Sequence, residues 1–166
     1  METGESRATS DDGFEQLLDL VLKNPLWDTA LVAILTALSE EIEAGKQGGA
    51  AASREVYSTM AYRLTHVVER LGQRLLLLVQ SRRGQAQPPG PPGADQYLNW
   101  MATSLQEAQA NLHEAWQHVQ AGDRTERPAQ LLSSGVYFAA TLTGLLATFD
   151  KFMPRGDGGS RHAAGN

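Results

Sequence analysis

Residues 98–119 read LNWMATSLQEAQANLHEAWQHV. Leu98, Met101, Leu105, Ala108, Leu112, Ala115 and Val119 step by three and four residues in alternation. At about 100° per residue, that spacing gathers all seven on one face of a helix, whereas a strand would alternate by two. A helix with one long apolar seam cannot bury it alone, so the stretch predicts a bundle of helices. Asp95 is placed to cap its start and Gly122 to stop it.

Working outward, DRTERP (residues 123–128) opens a further helix with Pro128 in its first turn. Phe138, Leu142, Leu145, Phe149 and Phe152 give its stripe, and Pro154 ends it. Upstream, residues 84–94 (GQAQPPGPPGA) hold four prolines among glycines, which suits a semi-extended connector rather than a helix. Before that connector a long helix runs from a Ser53 cap to about Arg82. Its stripe is Tyr57, Met60, Leu64, Val67, Leu71 and Leu78, flanked by Ala61, Val68 and Leu75. Another helix starts at Pro25, carries Trp27, Leu31, Ile34, Leu38 and Ile42 with Ala30 and Leu35, and ends near Gly45. A short first helix carries Phe14, Leu17, Leu18, Val21 and Leu22.

No stretch alternates as a strand does. The expected fold is all-α: four long amphipathic helices in an up-down bundle, plus a short N-terminal helix. The bundle is expected over residues 13–153, with disordered segments at 1–12 and 154–166.

Composition narrows the function classes. The chain has 166 residues, 42% apolar and 20% charged, enough for one domain with a core. A net charge of −5 argues against nucleic acid, whose phosphates call for a basic stripe. The absence of cysteine removes disulfides, thiolate metal sites and a cysteine nucleophile, and fits a cytoplasmic address. The first residues lack a basic segment followed by an apolar one, so no secretory signal is expected. Eleven arginines against three lysines, with abundant Ala and Gly, read as the codon bias of a GC-rich bacterial genome.

The chemical motifs fail on spacing. HEAWQH (residues 113–118) resembles a zinc-protease motif, but His113 and His118 are five apart and diverge by about 140°. Glu114 and His118 are four apart and read as a solvated pair. His66 and Glu69 occur in the order His-x-x-Glu, and His66 points away from its helix's stripe. Ser133 and Ser134 have no strand before them, and no glycine cluster forms a phosphate loop. The RGD at residues 155–157 reads as chance in a Gly-rich tail. No catalytic, cofactor or metal residue is therefore assigned, and a metal-binding or enzymatic bundle stands as an alternative.

Three features invite an interaction reading. LLLLVQSRR (residues 75–83) places Leu75 and Leu78 on the stripe but turns Leu76 and Leu77 toward the side that should be wet. The first helix, lying across that end, is expected to cover them; a partner protein or a second copy, or a membrane surface, are the other possible covers. Trp116 falls on its helix's stripe as core, while Trp100 falls on a flank, either covering a neighbouring helix or anchoring an interface. Ala129 to Phe149 is uncharged for 21 residues, with Gly135, Ala139, Thr143 and Ala147 four apart. That length can span a bilayer, but Gln130 and the Ser and Thr hydroxyls would each need a partner in lipid. A central bundle helix explains the pattern at lower cost, and a membrane-associated protein using helix 129–149 is kept as an alternative. The expectation is a non-catalytic bundle acting through a protein partner or as a homo-oligomer, with Leu76, Leu77 and Trp100 as contacts.

Overall fold

Helix accounts for 89% of the residues described in the computed structural model, 13–83 and 93–152, and no strand occurs among them. The side chains of residues 50 and 51 fall outside that description. The five helices are α1 (residues 13–22), α2 (Trp27–Lys46), α3 (Ala50–Arg83), α4 (Ala94–Gln120) and α5 (Arg127–Phe152). The all-α bundle expected from the heptad-like spacing is thus what the chain forms. The terminal segments expected to be disordered lie outside the described residues, as does most of the Pro-rich connector. That connector is shorter than expected at its far end, since Ala94 already belongs to α4.

Each long helix packs on its sequence neighbour, and α5 closes the ring by packing on α2. The pairing is antiparallel. Ser53 at the start of α3 donates to the Gly45 carbonyl at the end of α2. Lys151 near the end of α5 lies 3.9 Å from Asp28 at the start of α2. One diagonal is also closed, α3 against α5, whereas α2 and α4 do not pack on each other. Helix α5 therefore touches all three other long helices.

The seam of α4 is the one its spacing predicts. Met101, Ala108, Leu112, Ala115 and Val119 are buried, with Leu98 and Leu105 half-buried. The face of α5 differs from expectation. Its core side is Leu132, Gly135, Ala139, Leu142, Thr143 and Leu146, while Phe138 and Leu145 are half-buried and Phe152 is exposed. The physical reason is the close packing of α3 and α4 on this face of α5. A Cβ on Gly135 would stand 3.0 Å from Leu64 Cδ2 and 3.9 Å from the Ala108 carbonyl oxygen, so only small side chains fit. All four small residues spaced by four are buried. The Thr143 hydroxyl satisfies itself by donating to the Ala139 carbonyl at 2.8 Å. By length and composition α5 passes as a membrane span, and half of that apolar window is buried inside the bundle.

Helix ends show where local expectation gave way. Pro25 lies in the α1–α2 turn, not in the first turn of α2. The Asn24 side chain accepts from the Leu26 N–H at 2.9 Å, an Asx turn that delays the helix to Trp27. Ser53 does not cap α3, which begins at Ala50. Its hydroxyl is one turn inside and reaches back across the α2–α3 turn instead. Asp95 likewise sits in the first turn of α4, behind an N-cap Gly93 at φ 100°. Gly122 does stop α4, at φ 73°. The Gly122 N–H bonds the Val119 carbonyl and the Asp123 N–H bonds the His118 carbonyl, which is the Schellman pattern.

Candidate functional site

Helix α1 runs parallel to α3 and lies along its middle. Phe14 stacks under Arg63 with 5.5 Å between guanidinium and ring centroid. Glu15 meets His66 Nδ1 at 3.1 Å, and Asp19 meets Arg70 at 3.1 Å. Arg74 donates to the Leu22 carbonyl, the last of α1. Leu18 is buried beneath this row. His66, expected to face water, is half-buried under α1 because Glu15 draws it there.

Arg63, Arg70, Arg74 and Leu77 recur at helical spacing, so Leu77 continues the strip that α1 covers. But α1 stops level with Arg74, and the chain turns away into α2. Leu77 remains 65% exposed and Leu76 55% exposed. The expectation that the first helix covers these leucines is therefore corrected: it covers the three turns before them. The turn is forced by Pro25 and the Asn24 side chain.

Trp100 is 47% exposed and packs its ring against Tyr97 with centroids 5.4 Å apart. Gly72 faces Leu105, which puts Leu76 at the height of the first turns of α4. Trp100 shares that height but not that face, since it lies five residues from Leu105, about 140° around α4. The structure brings Leu76 and Leu77 together and leaves Trp100 on the other side of α4. Two further exposed residues at this end, Leu20 and Leu26, were not singled out from sequence. Both sit where α1 passes into α2, and the signal was there: α1 has more apolar positions than one face can bury.

Trp116 was expected in the core and is 40% exposed. The seam of α4 turns toward α5 at this level through Ala115 and Val119, leaving Trp116 at the lip of a groove between α3 and α4. That groove, of about 580 Å3, is lined by Tyr62, His66, Leu112, His113 and Trp116 among others. His66 and Tyr62 stack edge to face with centroids 4.5 Å apart. Among the described residues no three His, Asp or Glu side chains converge as metal ligands.

The opposite end of the bundle is polar. His118 Nδ1 donates to Asp123 Oδ2 at 2.6 Å, and its Nε2 lies 3.7 Å from Glu114, which also holds Arg127 at 3.0 Å. The Glu114–His118 contact is the pair expected from spacing; Asp123 as the closer partner was not foreseen. Asp123 Oδ1 accepts the Thr125 N–H at 2.8 Å. Thr125 first, and His118 after it, hold the Asp123 carboxyl below the usual range.

No protein-family model matches the chain, and neither the curated proteins nor the solved structures give a significant match to it.

Proposed function

We propose that this protein is a non-catalytic helical bundle that works by association, with another protein or a second copy, through the α3 end that carries Leu76 and Leu77. The observation behind the reading is that α1 ends one turn short of these two leucines. Residues 1–12, 84–92 and 153–166 contain no Leu, Ile, Val, Phe, Tyr or Trp. Two exposed adjacent leucines are unfavourable unless something else buries them.

Magnitude sets the kind of association. Fully burying a leucine is worth roughly 1.5–3 kcal/mol, and these two are already part-buried, so together they supply about 3 kcal/mol. Association costs at least about 4 kcal/mol in lost freedom. The pair alone thus supports a transient contact, and a lasting one must recruit Leu20 and Leu26 nearby.

Light scattering on a sizing column, in buffer without detergent and over a range of concentrations, tests the reading. A defined dimer that Leu77→Ala returns to monomer supports self-association. A monomer at every concentration removes the second copy and leaves a different protein as the occupant. A second reading, membrane association through α5, rests on the length and apolar composition of that helix. Failure to stay in solution without detergent would favour it over the first.

A further inference from the structure

At the polar end, the α2–α3 turn and the α4–α5 turn enclose a cavity of about 500 Å3. Its wall carries three cations, Lys46, Arg54 and Arg124, and two carboxylates, Asp123 and Glu126. Tyr57 also lines it, although only 7% exposed overall. We infer that this cavity binds a small oxyanion, a carboxylate or a phosphate, through Arg54, Arg124 and the Tyr57 phenol.

The partners already taken decide which groups are free to bind. Lys46 is engaged by Glu43 at 2.9 Å. Asp123 is turned away to His118 and Thr125. Among the described residues neither the Arg54 nor the Arg124 side chain has an ion pair or hydrogen bond. With Lys46 matched by Glu43, the wall sets two guanidinium groups against two carboxylates, Asp123, already bonded to His118 and Thr125, and Glu126. A guanidinium presents a planar fork that suits the two oxygens of a carboxylate or phosphate.

Tyr57 adds direction. Burial raises its pKa, with Lys46 opposing that shift, so the phenol stays protonated and can donate. The Ser53 hydroxyl bonds the Gly45 and Gly48 carbonyls and also meets the Tyr57 phenol, which pins the first turn of α3 against the wall. Glu126 is the carboxylate on the wall that no ion pair occupies. It limits the charge the site tolerates and favours one oxyanion group over a polyanion.

The test is calorimetric titration of the whole chain with inorganic phosphate and, separately, with succinate, at constant ionic strength held by sodium chloride. Saturable binding of one equivalent is expected for at least one of them, and the stronger of the two identifies the source of the oxyanion. The double variant Arg54→Gln, Arg124→Gln should weaken it by at least about tenfold. Glu126→Gln should tighten it, a result that a merely structural role would not give. Tyr57→Phe should weaken it about fivefold while keeping the ring in place. Both arginines are exposed, so an unchanged melting temperature without ligand shows that the double variant is folded. Absence of saturable binding to either anion, or binding unchanged in the folded double variant, would overturn the assignment.

Discussion

The guanidinium of Arg74 lies 4.2 Å from the centroid of the Trp27 ring and also donates to the Leu22 carbonyl. One side chain of α3 thereby fixes the end of α1 and the beginning of α2. Replacing it with alanine should remove a cation–π contact and a charge-assisted hydrogen bond, at a cost of about 2–3 kcal/mol. Lysine should recover only part of this, because an ammonium cannot lie flat on the indole while bonding the carbonyl. Urea denaturation of the two variants measures both numbers, and equal stability of lysine and arginine would show that stacking contributes nothing.

The two glycines within α5 should respond differently. A Cβ at Gly144 meets nothing within 4 Å, so Gly144→Ala should stabilise by about 0.5–1 kcal/mol through helix propensity. At Gly135 the same methyl presses on Leu64 Cδ2, the flexible end of a core side chain. Alanine there should come out near neutral, while Gly135→Leu should cost about 2 kcal/mol or more by forcing α5 away from α3 and α4. Thermal unfolding of the three variants orders them.

Leu77→Ala and Leu71→Ala separate surface from core. Leu71 is fully buried, and its truncation should cost about 2–5 kcal/mol. Leu77→Ala should change stability by less than about 0.5 kcal/mol, yet weaken any association by about tenfold. A loss comparable to that of Leu71 in denaturant melts would place Leu77 in the core and sink the interaction reading.

Acid should loosen the α4–α5 turn. The Asp123 carboxyl is held below its ordinary value of about 3.9, chiefly by the Thr125 N–H and hydroxyl. A carboxyl with a lowered folded-state pKa contributes stability that is present above its unfolded pKa and is lost as pH falls through the folded one. Stability should therefore decline as pH drops below about 4, and Asp123→Asn should flatten that part of the decline. Melting temperatures taken from pH 7 down to the acid range, for both proteins, decide it.

The fold was legible where apolar spacing was regular and side chains were large. The α4 seam from Leu98 to Val119 and the α3 stripe from Tyr57 to Leu78 could be read directly. Legibility failed in α5, where Phe138, Leu145 and Phe152 outweighed Gly135 and Ala139 on any scale of hydrophobicity. What buries a residue there is the closeness of α3 and α4, a property of how the helices pack and not of α5 alone. Trp116 misled because the buried position beside it is Ala115, and its own ring lines the open groove between α3 and α4. The seat of α1 depends on Glu15–His66 and Asp19–Arg70, contacts across some fifty residues that no local pattern announces. The polar cavity was invisible because its cations come from three separate stretches of chain.

The position of α5 in the ring has a consequence for biosynthesis. On the ribosome α2, α3 and α4 leave the exit tunnel before the helix on which all three pack. Until α5 emerges, the sides of Leu64 and Ala108 that will meet it have nothing to close on. The nascent chain must therefore wait as a partly collapsed intermediate, open to chaperones and to misassociation, and complete this core only after α5 is translated.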